Sequence, residues 1–353
     1  MYDNFMKKYF LSLFLILLMT PSVANAHEQV RESKKNRIDN YETITISQSG
    51  SLFYSVTNEI ITSVANVGAN LSFIGRANVG MEKILDYSGK EKLTTKTDYL
   101  YSISIKTVEK DFAEYIYSDN ISSKIKTDLI IISELTANLY SIQIGDVIHL
   151  IGMNGEPVEI VVGDIVPDAE LGWFEGVVNK ELGFKLGIYR NIQAIIWDDK
   201  ITENHLIEIY RNIKYKKVRV SDKNSTPNKN WVLPTALVKE KFGDFQIKEK
   251  DGTWIITEPA WREANIERLE MPIIGRTTCH KLMWEPLRGV LNQIEAEGLG
   301  YTLSKEEFRT SGGCYAPRRI SRFDAGGSIS RHAWGIAIDL SLIHISEPTR
   351  QQG

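Results

Sequence analysis

Ser328-Ile-Ser-Arg-His-Ala-Trp-Gly-Ile-Ala-Ile-Asp339 is the stretch on which the reading of this 353-residue chain turns. Taken as a strand, Trp334 to Asp339 alternates between two faces, with Trp334, Ile336 and Ile338 on one and Gly335, Ala337 and Asp339 on the other. The first face is apolar. The second is bare except for a carboxylate, with His332 at its entrance. Gly335 and Ala337 leave the clearance that a metal ion carrying a water and a peptide needs, and an imidazole and a carboxylate are two usual zinc ligands. His332 and Asp339 are therefore the candidate metal ligands. The alternative is a buried histidine and an exposed aspartate closing an ordinary strand.

Ser330, His332, Gly335, Ala337 and Asp339 fill every fixed position of Ser-x-His-x-x-Gly-x-Ala-x-Asp. In this the stretch resembles the zinc DD-peptidases, the VanY-like D-alanyl-D-alanine carboxypeptidases and related peptidoglycan endopeptidases. The resemblance reaches upstream through Gly313-Cys314-Tyr315-Ala316-Pro317-Arg318 and Pro272-Ile273-Ile274-Gly275, so that it covers Trp254 to Asp339. It implies an α+β, hedgehog-like domain that hydrolyses D-amino-acid-containing bonds of peptidoglycan stem peptides, with Zn2+ as cofactor and His332 and Asp339 as ligands. It also implies a substrate-facing arginine ahead of the histidine, carried here to Arg318 with Arg319 as the fallback. The planar fork of Arg318 can grip a peptide carboxylate or the carbonyl oxygen that gains charge during attack. A surface arginine paired with Asp324 is the competing reading. Ser330 joins Arg318 as a candidate substrate-side residue that orients His332 through a hydrogen bond, or is a simple turn hydroxyl.

In that family the third ligand and a carboxylate base arrive together in a later acid-x-x-His segment, and none follows Asp339 here. Leu340 to Arg350 is instead similar to the in-frame translation of a transposase-type sequencing-library adapter. The natural sequence is thus expected to end at Asp339 or one residue later. On this reading the parent protein is an active metallopeptidase, while this polypeptide lacks one ligand and the base and is inactive. The other possibility casts His344 as third ligand and Glu347 as base.

The rest of the chain frames this site. Lys7 and Lys8, an uncharged run to Ala26 built around Leu11 to Met19, and the Ala24-Asn25-Ala26 ending describe a secretory signal peptide over 1–26, cut before His27. An uncleaved anchor is the alternative. No later run is apolar for long enough to span a bilayer, so the mature protein is expected outside the cytoplasm, in the periplasm or cell wall. Cys279 and Cys314 are the only cysteines, and in an oxidising compartment they most simply form a disulfide. A thiolate metal site with His280 is the rival. The net charge of -3 gives no sign of nucleic-acid binding, and there is no basic stripe beyond the short Lys214-Tyr215-Lys216-Lys217 run, which reads as a solvated strand edge.

Residues 27–40 read as a flexible leader and 41–220 as a β-rich accessory domain. Its markers are alternating runs such as Glu42 to Ile46 and Tyr99 to Ile105. Glu59 to Asn66 suits a helix or a strand. Val147 to Ile151 and Val158 to Val162 flank Asn154-Gly155, a hairpin signal, with His149 as a plain strand histidine. Thr202 to Ile213 has helical spacing, and Val218 to Val220 reads as a strand. Ser133 to Asp164, with its Gly145-Asp146 turn, is similar to the periplasmic core domains of ABC-transporter permeases, which implies a β-rich scaffold. The polar run 221–230 is the expected linker, ahead of a peptidase-like domain over 231–339 and the tail 340–353. That domain should hold a strand pair turning at Asp251-Gly252 and a helix opened by Pro259. A second helix, Trp284 to Gly298, should lay Leu287, Val290, Leu291 and Ile294 on the sheet carrying Trp334, Ile336 and Ile338. Two non-enzymatic readings stand beside the peptidase: a cell-wall binding module using the same groove, and an envelope scaffold whose first domain docks to a protein partner.

Overall fold

Short runs of Ile and Val that are buried on both faces read as strands covered from two sides. The computed structural model describes residues 43–47, 62–188 apart from 63, 67, 118 and 126–128, 193–197, 217–221, 233–303 apart from 251–252, 313–320 and 327–338. The signal, leader, linker and tail expectations, and the helix expected over Thr202 to Ile213, fall outside these residues; of the linker only Ser221 is described. The chain divides into two compact units. One comprises Ala26–Ile247 with Ser321–Ser328, and the other comprises Lys248–Ile320 and the chain from Ile329.

The first unit holds ten strands: β1 (Thr43–Ser47), β2 (Asn70–Leu85), β3 (Glu91–Thr94), β4 (Tyr101–Val108), β5 (Leu129–Ser133), β6 (Val147–Ile151), β7 (Pro157–Val166), β8 (Gly176–Asn179), β9 (Gln193–Trp197) and β10 (Lys217–Ser221). Nine of them run β10-β1-β9-β2-β4-β8-β5-β7-β6, β3 pairs with β2 off this path, and β6 pairs back onto β2. The last pairing closes β2, β4, β8, β5, β7 and β6 into a six-stranded barrel. Strand β2 makes this possible by its length. Asn70 to Ile74 pair with β9, Gly75 to Met81 with β4, and Gly80 to Leu85 with β6, with a register shift between Met81 and Lys83.

Alternation along β5 shows the two layers. Ile130 and Ile132 pack with Met81, Ile103, Ile148 and Leu150 in one core, while Ile131 joins Ile74, Val108 and Phe112 in another. Phe112 belongs to α1 (Lys110–Ile116), which is followed by α2 (Asp119–Ser122). Helix α3 (Glu134–Tyr140) follows β5 and α4 (Lys180–Lys185) follows β8. Of Glu59 to Asn66, residues 62 and 64–66 are described and are helical. The β6–β7 hairpin is as expected, but its loop runs from Gly152 to Glu156 and only Gly155 takes a positive φ, 82°.

Asp168 braces the start of α3, where its Oδ2 accepts from the Leu135 N–H at 3.0 Å. Burial raises its carboxyl above the usual value, partly offset by that hydrogen bond, and Oδ1 has no partner among the described residues. Burial raises the Asp244 carboxyl in the same sense. A carboxyl that holds its proton more tightly folded than unfolded contributes stability that is fully present below the unfolded value and lost as pH rises through the folded one. Asp168→Asn is therefore expected to flatten this fall in unfolding free energy, as read by urea titrations across the acidic range.

Helix α5 (Thr235–Phe242) falls in the first of the two units. Leu233 to Ile247 cluster with the barrel, through the buried Lys239 and the Leu100–Ile247 bridge, so the division falls within β11 (Ile247–Glu249).

In the second unit β11 pairs with β12 (Ile255–Thr257), the expected strand pair, although its turn at Asp251-Gly252 lies outside the described residues. Pro259 opens α6 (Pro259–Asn265), as expected of a residue with no N–H to satisfy. Strands β13 (Ile266–Met271) and β14 (Gly275–His280) form an antiparallel hairpin. Helix α7 (Trp284–Ala296) buries Trp284, Leu287, Val290 and Leu291. Leu287 and Leu291 pack with Met271, Ile274 and Cys279, with Ile336 and Ile338 against the same cluster. An α+β mixture is thus observed. Among the described residues no helix is long and apolar enough to cross a membrane.

Candidate metal centre

The segment from Gly313 to Ile320 is the rail on which the site is built. Pro317 O accepts from Ile255 N at 3.2 Å, and Arg319 N donates to Thr253 O at 2.7 Å. On its other edge Ala316 N donates to His332 O at 2.9 Å, Arg318 O accepts from Ser330 N at 2.9 Å, and Arg319 bridges Ile329. Tyr315 N reaches Thr278 O of β14 at 3.0 Å. The motif residues upstream of Gly335 are therefore held by backbone pairing.

The strand expected from Trp334 does not form. Arg331–Trp334 is a single 3-10 turn, Ser330 caps it by accepting from His332 N at 3.3 Å, and Gly335 ends it in the left-handed region at φ 69°. Residues 336–338 follow without regular structure. The physical reason is the cap pair. A serine oxygen satisfies the first N–H, and a glycine tolerates the positive φ that closes the turn. Trp334 is fully buried, and the Arg331 guanidinium lies 5.7 Å from its ring centroid. The missing side chain of Gly335 makes room for β14: a Cβ there would meet His280 N at 2.7 Å.

His332 is 5% exposed, and its Nδ1 faces Cys314 O at 3.2 Å. A carbonyl oxygen can only accept, so Nδ1 carries a proton and in the neutral ring Nε2 keeps its lone pair, an arrangement that would suit a metal ligand held by an outer partner. His280 has the opposite tautomer. Its Nδ1 accepts from Leu282 N at 3.2 Å, which puts the proton of the neutral ring on Nε2 and leaves no lone pair for a metal. Cys279 and Cys314 form a disulfide with a Cα separation of 4.9 Å, so no thiolate is available either. Among the described residues no group of three or more His, Cys, Asp or Glu side chains gathers as a metal cage. Asp339, Asp324, His344 and Glu347 lie outside the described residues.

Arg318 and Arg319 part company. Arg319 is buried and bound to Glu249, with Nε to Oε1 at 3.1 Å and a second, shorter contact from the same guanidinium, which gives the fallback a structural role. Arg318 is half-buried, bridges the half-exposed Trp254, and pairs with no carboxylate among the described residues. Directly opposed residues of an antiparallel pair share a face, so an indole and a guanidinium stand side by side. The sequence reading missed Trp254, although Thr253-Trp254-Ile255-Ile256-Thr257 alternates and turns it outward with Ile256. It also missed Tyr315, whose hydroxyl lies 2.6 Å from Thr257 Oγ1 and whose ionisation is raised by burial, so it stays a neutral phenol. His149, as expected, is a strand histidine; it is buried, with Nδ1 3.3 Å from Glu159 Oε1.

No protein-family model matches this chain, and no curated protein matches it.

Proposed function

We propose that the unit from Lys248 onward is the core of a zinc-dependent peptidase acting on D-amino-acid-containing bonds of peptidoglycan stem peptides. His332 and Asp339 serve as metal ligands, and Arg318 serves on the substrate side. The observation that carries this reading is the 3.2 Å contact between His332 Nδ1 and the Cys314 carbonyl, which in the neutral ring leaves Nε2 with the lone pair. When bound, zinc supplies a Lewis acid and an acidified water. This chain's own residues do the positioning. Cys314 O orients the imidazole, Ser330 caps the turn that carries it, and Arg318, free of any carboxylate among the described residues, offers its fork to a peptide carboxylate or a carbonyl oxygen. The Ser330 hydroxyl acts on the His332 backbone rather than on its ring. The disulfide suits an oxidising, extracytoplasmic compartment.

The test is a zinc titration of the purified chain. His332→Ala is expected to weaken binding by more than about a hundredfold, the upper range for outer-shell partners alone, while His149→Ala leaves it unchanged. Muropeptide hydrolysis is assayed alongside, with the chain extended beyond Asp339 by its genomic continuation. Hydrolysis that survives chelation removes the zinc mechanism, and muropeptide binding without hydrolysis favours the wall-binding alternative.

A further inference from the structure

The geometry points to the Cys279–Cys314 disulfide as a positioning device for His332, beyond its part in the core. The inference rests on the reading of His332 as a metal ligand and extends it to what sets that ligand's direction. Two contacts tie the disulfide to the His332 turn, one at the imidazole itself and one at the Gly335 that closes the turn. Cys314 itself supplies the carbonyl that accepts from His332 Nδ1 at 3.2 Å. His280, the neighbour of Cys279, donates its N–H to Gly335 O at 3.0 Å. Both cysteines are fully buried, and the bond joins segments 35 residues apart. With the bond intact, the carbonyl on the imidazole and the amide on the turn's last residue move as one body.

Without it the Cys314 carbonyl is held among the described residues by the flanking Tyr315 N to Thr278 O and Ala316 N to His332 O bonds. The carbonyl then no longer dictates which ring nitrogen carries the proton. Since outer-shell partners of a metal-binding histidine set its tautomer and basicity, the disulfide acts on the site through His332.

The test uses the full chain labelled with 15N-histidine; long-range ring correlations show which nitrogen of each of the six histidines is protonated. His332→Gln assigns the signal. In the disulfide-bonded protein His332 is expected as the Nδ1–H form. In Cys279→Ala/Cys314→Ala its signal should move towards an average of the two tautomers, with zinc affinity reduced about ten- to a hundredfold. A purely structural bond leaves the ring signal in place. A folded double variant with unchanged signal and affinity overturns the proposal, as does an Nε2–H form in the intact protein. Should the double variant not fold, the wild-type protein reduced with a phosphine supplies the comparison. The disulfide takes two electrons and two protons to become two thiols, and the phosphine becomes its oxide with oxygen from water. A shifted signal in a still-dispersed spectrum supports the proposal. An unshifted signal, or collapse of the spectrum, overturns it, since collapse makes the bond a prerequisite of folding. Failure of the metal reading shows differently, as a tautomer that responds to the disulfide in a protein that binds no zinc.

Discussion

Lys239→Met is expected to destabilise the barrel unit by about 3 to 5 kcal/mol, the usual cost of removing one partner from a buried ion pair. Lys239 and Glu175 are both essentially without solvent exposure, and Nζ lies 2.7 Å from Glu175 Oε1. The ammonium also donates to Tyr140 OH at 3.1 Å and to the Ser102 carbonyl, and lies 3.6 Å from Asp244 Oδ2. Tyr140 passes its own proton donor to Asp244, and Glu175 Oε2 accepts from Ser104 N at 2.8 Å. Burial by itself would lower the Lys239 ammonium, but Asp244 and Glu175 more than reverse this and hold it charged. Removing the ammonium strands two carboxylates away from water, and Asp244, which burial already raises, relieves its penalty by keeping a proton. A folded carboxyl raised further in this way makes the variant lose stability more steeply as pH rises through it. Urea unfolding at acidic and alkaline pH should therefore show a larger deficit at the alkaline end. Lys239→Met/Glu175→Gln, which keeps an acceptor for Ser104 N without the charge, should recover part of it. A loss under about 1 kcal/mol, equal at both pH values, would sink this account.

That cluster also marks where the sequence stopped being legible. Alternation in Tyr99 to Ile105 and Val147 to Val162 predicts strands because period two is a local property, and β4, β6 and β7 stand where it says. Pro259 and Gly298 punctuate helices for equally local reasons; Gly298 takes φ 68° just past α7. The two cysteines pair because only one pairing within the chain exists. Closure of the barrel is different: it depends on Met81 meeting Leu150, a contact whose register no local pattern encodes. Lys239 reads as surface in any window, and only its distant partners, Glu175 and Tyr140 among them, together with Asp244 make its burial tolerable. The polar run 221–230 reads as a linker by composition alone, whereas α5 groups with the barrel through Lys239, whose partner Glu175 lies far away in sequence. At the candidate site, Trp334 to Asp339 does alternate like a strand. The decisive signals were the Ser330 and Gly335 caps, which outrank a six-residue alternation because each satisfies a backbone group or a backbone angle directly.

Gly335→Ala is expected to cost about 2 to 5 kcal/mol and to weaken zinc binding with it. Its φ of 69° is left-handed, where a side chain costs roughly 1 to 2 kcal/mol. The added Cβ would also stand 2.7 Å from His280 N, 3.0 Å from Ile266 Cδ1 and 3.2 Å from the Cys279 carbonyl carbon. Two of these are backbone atoms of β14 next to the disulfide, which cannot swing aside as a long side chain would, so overpacking adds about 1 to 3 kcal/mol. The push falls on the hydrogen bond between His280 N and Gly335 O, and thus on the turn that presents His332. Gly289 is the internal comparison. It sits within α7 with no atom within 4 Å of the position its Cβ would take, so Gly289→Ala should raise stability by about 0.5 to 1 kcal/mol and leave zinc binding unchanged. Unfolding free energies and zinc titrations of the two variants side by side check both signs. Equal behaviour of the pair would show that the close approach of Gly335 to β14 does not hold the His332 turn in place.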